Sequence, residues 1–299
     1  MSTLRGPLLM VAAMAGFAMQ DAIMKDLVTR IPPGMVALWL GIGGALAFSV
    51  ALWRKGEPLF DRRALKGAAL LRNACETGAV ITILLSVALV PLSVMSSILQ
   101  AMPLAVTLGA ALFLGEKAGW RRWTAILVGF FGVMLILRPG TTGFDAAALV
   151  PLAAVFFLST RDLATKRLDS GISSLQVSAW GFAAVIPGGL LLLAMRGESL
   201  VVPSAGDAAL LTLNVVVGMT AYVMLVLSTR TGNIATTTPF RYARLVFSMG
   251  LGVVLFGERP DIWTLTGSVV IVVAGLYTLV REIQLGRRPV PTAETPTLP

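Results

Sequence analysis

The chain has no histidine, one cysteine (Cys75) and three tyrosines in 299 residues, and only 13% of it is charged. Lacking histidine, it has no side chain of the kind that most often shuttles protons or holds metals near neutral pH. A single cysteine excludes an intrachain disulfide and leaves the compartment open. No GxSxG, HExxH or GxxxxGK[ST] stretch occurs, so nothing points to a hydrolase, a zinc site or a built-in ATP loop. The expectation is a protein without catalytic residues, metal or cofactor. The shortage of charge says most. Soluble domains are about a quarter charged, and half that share cannot coat a water-facing globule.

What is present is apolar: 56% hydrophobic residues and a mean hydropathy of +0.84. A bilayer-spanning helix needs roughly 20 apolar residues. Such runs recur almost end to end and predict ten helices, at 7–28, 34–53, 67–90, 93–114, 122–138, 145–165, 174–195, 206–229, 233–256 and 262–281. Gly and Pro mark most joints, among them Pro32-Pro33-Gly34, Pro139-Gly140 and Arg259-Pro260. Prolines inside spans (Pro103, Pro151, Pro187, Pro239) are tolerable because neighbouring helices re-satisfy the freed backbone groups.

A net charge of +9 would suit a nucleic-acid binder, but the basic residues stand in short loops between apolar segments. Arg54, Lys55, Arg62, Arg63, Lys66, Lys117, Arg121 and Arg122 lie on the N-terminal side, joined by Lys166, Arg167, Arg230, Arg281, Arg287 and Arg288. Only Arg30, Arg138, Arg196 and Arg259 fall in the opposite loops. This asymmetry predicts both termini in the cytoplasm, with lipid and not nucleic acid around the chain. Arg5 before an apolar run imitates a signal sequence, yet Gln20, Asp21 and Lys25 continue the segment.

The chain also repeats itself. A shift of 141 maps Asp21 onto Asp162, Lys25 onto Lys166, Trp39 onto Trp180 and Asn73 onto Asn214. LFLGEK (112–117) then faces VLFGER (254–259), with Glu116 opposite Glu258, and Gly132 and Gly275 close the unit. Rare residues that keep one register across five helices indicate duplication. The expected division is 1–140, 141–285 and a Pro- and Thr-rich disordered cytoplasmic tail, 286–299. Five helices per half force the second copy in upside down. The fold class is therefore an all-α membrane protein of ten transmembrane helices in two inverted five-helix repeats, the architecture of alternating access. Asp21–Lys25 and Asp162–Lys166 are i,i+4 pairs on one helix face. They either finish helix ends or form matched gates.

At the paired Gly-Glu stations, LGEK and FGER, the sequence resembles the drug/metabolite transporter superfamily, specifically EamA-type ten-helix exporters, over residues 7–282. Pro103 lies thirteen residues before Glu116; the second half has Leu245 at that spacing and its proline at Pro239, so helices 4 and 9 are not expected to kink alike. The resemblance implies a carrier of the bacterial inner membrane, often an exporter of amino acids, closest to the aromatic amino-acid type. It also implies a central cavity lined chiefly by helices 3, 4, 8 and 9.

Charge inside a bilayer is costly and needs a partner or a task. Helix 3 carries RNACE (Arg72, Asn73, Glu76) and helix 9 carries PFRYAR (Arg241, Tyr242, Arg244). A zwitterionic amino acid would need a cationic fork, for which Arg244 is the candidate. Glu76, Asn73 or Gln100 would take the ammonium; Trp180, Tyr222 and Tyr242 would form walls, and Asn214 lies nearby on helix 8. The alternatives are a permanent Arg72–Glu76 or Arg244–Glu76 pair, and Trp39 and Trp180 as interfacial anchors. The partner is then a small-molecule substrate, and a monomer suffices. Uptake of a nucleoside-like or sugar-linked metabolite and a water-filled channel stay open, as does the choice of proton coupling, exchange or facilitated diffusion.

Overall fold

The computed structural model describes residues 5–115, 119–141, 143–169, 171–231 and 237–286. All secondary structure among them is helical, and ten helices are long and apolar enough to cross a membrane. We number these α1 (Arg5–Leu27), α2 (Pro33–Lys55), α3 (Gly67–Leu89), α4 (Leu92–Leu99 and Met102–Phe113), α5 (Trp120–Leu137), α6 (Leu149–Lys166), α7 (Ser174–Arg196), α8 (Ala205–Thr231), α9 (Ala243–Phe256, entered through a 3-10 turn at Thr238–Tyr242) and α10 (Ile262–Gly286). Bulky apolar side chains face outward along the helices, for example Trp53, Phe113 and Val254. In water that exposure would be a liability; in lipid it is the solvated face. Glu116 and Lys117 of the first Gly-Glu station lie outside the described residues, as does the tail from 287 onward.

The break in α4 and the 3-10 entry to α9 each have a local cause. Pro103 cannot donate to the Leu99 carbonyl and crowds it, so α4 stops at Leu99 and restarts at Met102. Pro239 sits in the first turn of the 3-10 segment before α9, where its fixed φ fits and its missing N–H costs nothing. Helices 4 and 9 differ as expected in device: the break in α4 at Gln100 and the 3-10 turn at Arg241 lie at matching points, 141 residues apart.

The packing follows an approximate two-fold exchange of the halves. The most extensive pairings are α2 with α7, α1 with α8, α3 with α6 and α5 with α10, and each joins one half to the other. Further contacts come in matched pairs: α1–α9 with α6–α4, and α3–α7 with α8–α2. Exchange of the halves therefore swaps one wall group, α1, α8 and α9, with the other, α6, α3 and α4. The pairs α2–α7 and α5–α10 bridge them. The sequence halves are thus interleaved and cannot rock as separate bodies.

Small residues let the bridging helices touch backbone to backbone, in place of the water-driven burial that a bilayer does not supply. A Cβ at Gly34 would lie 2.6 Å from the Gly189 carbonyl oxygen, and one at Gly189 would lie 2.7 Å from that of Gly34. No rotamer change can relieve a clash with backbone. Gly189→Val should therefore push α2 and α7 apart and cost about 1–3 kcal/mol or more. A thermal midpoint equal to that of the parent in detergent would contradict this packing.

Candidate functional site

A cavity of about 870 Å³ lies between the two wall groups. All ten helices contribute to its lining, α2 and α5 through one residue each (Leu40 and Arg122), a wider set than helices 3, 4, 8 and 9 alone. Apolar and aromatic surface comes from Met14, Phe17, Met24, Met102, Phe182, Tyr222 and Tyr242. Among the described residues, charge comes from six cations (Arg72, Arg122, Arg161, Lys166, Arg241, Arg244) and three carboxylates (Asp21, Glu76, Asp162).

Each wall group holds its own ion pairs. Asp21 is 2% exposed and takes a forked grip from Arg244, with Nη2 at 2.7 and 2.9 Å and Nε at 3.1 Å. The Arg244 guanidinium also lies 5.6 Å from the Phe17 ring centre, a favourable cation–π placement. On the opposite wall, Arg161 binds Asp162 at 2.8 and 3.0 Å and Glu76 at 3.2 Å, while Arg72 approaches Glu76 at 3.6 Å. Arg161 stands where the first repeat has Gln20, so the same acid meets its cation differently in the two halves.

Several expectations change here. Asp21 and Lys25 do not pair with each other; Asp21 binds Arg244, and Lys25 reaches elsewhere. Asp162 pairs with Arg161, its neighbour in sequence, and Lys166 lines the cavity. The anticipated Arg72–Glu76 contact is present as one arm of a cluster, whereas Arg244 binds Asp21 and not Glu76. Arg244 is therefore already occupied, which weakens its assignment as the free carboxylate clamp. Glu76, Gln100, Tyr222, Tyr242 and Arg244 do line the cavity. Gln100, at the break in α4, donates to the Tyr242 carbonyl of the 3-10 turn at 3.3 Å, and the Tyr222 hydroxyl shares a 2.9 Å hydrogen bond with Ser178.

Asn73, Trp180 and Asn214 do not line it. Asn73 donates to the Ala64 carbonyl and Trp180 Nε1 to that of Leu59, and Gln176 adds a bond to Pro58, so this group pins the α2–α3 loop. Trp180 is buried there against Ala64 and Ala69, in neither a cavity wall nor an exposed belt. Asn214 is buried in α8, and neither side-chain polar atom finds a hydrogen-bond partner among the described residues. Arg161, which in the sequence is only the residue before Asp162, also lines the cavity, and no sequence motif points to it.

At the end where α1 finishes, contacts bridge the two walls. Gly257 closes α9 with φ of 64°, a left-handed conformation that glycine adopts without strain, and turns Glu258 back toward α4. The Glu258 carboxylate accepts the backbone N–H groups of Leu92 (2.6 Å) and Ser93 (2.9 Å) at the start of α4. Gly252 leaves the room for it, since a Cβ there would sit 2.6 Å from Oε2. Lys25 donates to the Val90 carbonyl at 2.9 Å and lies 3.6 Å from Glu258. A carboxylate at a helix N-terminus and an ammonium at a C-terminus both oppose the helix dipole favourably. This latch ties α1 and α9 of one wall to α3 and α4 of the other. The Gly-Glu spacing has a physical meaning: glycine ends one helix so that glutamate can cap another.

Residues 4–138 and 146–281 each match the sequence model of the EamA-like transporter family. A riboflavin transporter of Rhizobium johnstonii is 28% identical over 95% of this chain and 94% of its own length. A pseudopaline exporter of Pseudomonas aeruginosa is 27% identical over 90% and 94%. An S-adenosylmethionine uptake transporter of Rickettsia felis is 27% identical over 64% of each chain. A solved crystal structure superposes with a TM-score of 0.61 at 17% identity, covering 96% of this chain and 99% of that one, and shares its fold.

Proposed function

The chain belongs to the EamA-like transporter family, and on that premise we propose that it is a secondary carrier that moves a small organic metabolite by alternating access. It is a multi-pass bacterial inner-membrane transporter of small molecules; the mechanism, cargo and direction are our reading. The observation that carries it is a cavity between two exchange-related walls, latched at the Lys25 end and lined as far as Lys166, Arg122 and Leu279 toward the other. The moving bodies would be the wall groups α1, α8, α9 and α3, α4, α6, and not residues 1–140 against 141–285. With the basic loops in the cytoplasm, the Lys166 end faces inward and the latch faces out.

Amino acids, aromatic and other neutral ones included, remain candidate cargoes for export, because Met and aromatic walls accept varied side chains. A volume of about 870 Å³ also admits larger molecules, being near the top of the ~300–1,000 Å³ range of small-ligand pockets. That size, with relatives named for riboflavin and S-adenosylmethionine uptake, favours import of a nucleoside-like compound as the second reading. Proteoliposomes preloaded with tryptophan, riboflavin or S-adenosylmethionine should show saturable uptake of the matching labelled compound, accelerated by the preload. Linear, non-saturating flux accompanied by current would instead establish a channel.

A further inference from the structure

We propose that Arg241 is the anion-docking group of the transport site, and that the cargo carries an oxyanion, a carboxylate or a phosphate, which its guanidinium grips. The proposal rests on the carrier reading above. Arg241 stands in the 3-10 turn before α9, is exposed, and lines the cavity. No described residue gives it a hydrogen bond or an ion pair within 4 Å. The other arginines of the two walls are engaged: Arg244 with Asp21, and Arg161 and Arg72 with Glu76, Arg161 also with Asp162. Arg161 and Arg244 lie close enough to repel Arg241 electrostatically, and Asp162 to attract it.

Among the described residues, Arg241 is thus a cavity-lining guanidinium without a partner. An unmatched charge at membrane depth is expensive, and residues retained under that cost usually mark a ligand path. A guanidinium presents a planar fork of donors that fits carboxylate and phosphate oxygens two at a time. The α9 N-terminus beside it adds partial positive charge of the same sign, and broken helices whose N-termini face a midplane site are a recurring way to hold anionic cargo. The first half has Gln100 at the matching position. The site is thus asymmetric in charge where the fold is symmetric.

The test is counterflow in proteoliposomes with matched pairs: indole-3-acetate with indole-3-acetamide, glutamate with glutamine, and riboflavin 5′-phosphate with riboflavin. In the parent, the anionic member of a pair should accelerate exchange and its neutral twin should not. Arg241→Gln, which copies the Gln100 of the other half, should lower that stimulation roughly ten- to a hundredfold, the range of a lost charged hydrogen-bond pair. Arg241→Lys should fall between, because it keeps the charge and loses the fork. The parent comparison stands even where a variant fails to fold. Equal stimulation by neutral and anionic members, or an unchanged response in a folded Arg241→Gln, overturns the assignment and leaves the carrier reading intact. Flux of no compound at all overturns the carrier reading, and this one with it.

Discussion

Changing Glu258 to glutamine should open the latched end of the cavity. The neutral amide keeps one acceptor oxygen for Leu92 and Ser93, but it loses the charge that faces the α4 N-terminus and Lys25. A charge-assisted hydrogen bond contributes roughly 1.5–3 kcal/mol, so losing even one shifts the balance between sealed and open forms by about tenfold or more. A cysteine at Ile83, which lines the cavity on α3, reports this in a Cys75→Ala background. Its labelling by a membrane-impermeant maleimide from the Lys25 side should accelerate by at least that factor in Glu258→Gln. Exchange should fall as well, because a carrier that cannot reseal cannot finish its cycle. Labelling and exchange both unchanged would show that Glu258 is an ordinary helix cap.

Asp21→Asn should be the most destabilising single change in the cavity wall. Asp21 is almost wholly buried and accepts three hydrogen-bond contacts from Arg244. Removing one member of a buried pair leaves the other charge uncompensated, typically at a cost of roughly 3–5 kcal/mol. A gate element alone would alter transport in a normally folded protein; the forked pair makes loss of stability the first effect. The double variant Asp21→Asn/Arg244→Gln should recover most of the thermal midpoint, since no orphan charge remains. If the pair also serves the transport cycle, exchange stays low in the double variant. A single variant as stable as the parent would contradict a structural role for the pair.

Patterning alone revealed much of this molecule. Ten apolar runs and a 141-residue register marked the helices and the duplication, because span length and rare-residue spacing are local properties of the chain. Asp21, Glu258 and Arg244 were each visible as unusual residues, but their partners were not. The nearest candidate partner in sequence, Lys25 for Asp21, is not the one in space, because the tertiary fold brings α9 to α1 across more than 200 residues. Trp180 and Asn73 misled for a related reason. Repeat register says that a position is matched and leaves open whether it faces a cavity or a loop, and these two hold the α2–α3 connection. Arg241 drew less notice than Arg244 since sequence cannot tell a satisfied guanidinium from an empty-handed one.

The central claim is that the two cavity ends open in alternation as one wall group tilts against the other. Pulsed electron–electron distance measurements test it most directly, with spin labels on Asp26→Cys and Leu89→Cys at the latched end, and on Leu8→Cys and Arg167→Cys at the other, in a Cys75→Ala background. All four positions are exposed. Adding Glu258→Gln should lengthen the Asp26–Leu89 distance and shorten the Leu8–Arg167 distance in the same sample. Both distances lengthening together, or neither moving while exchange is abolished, would contradict the account.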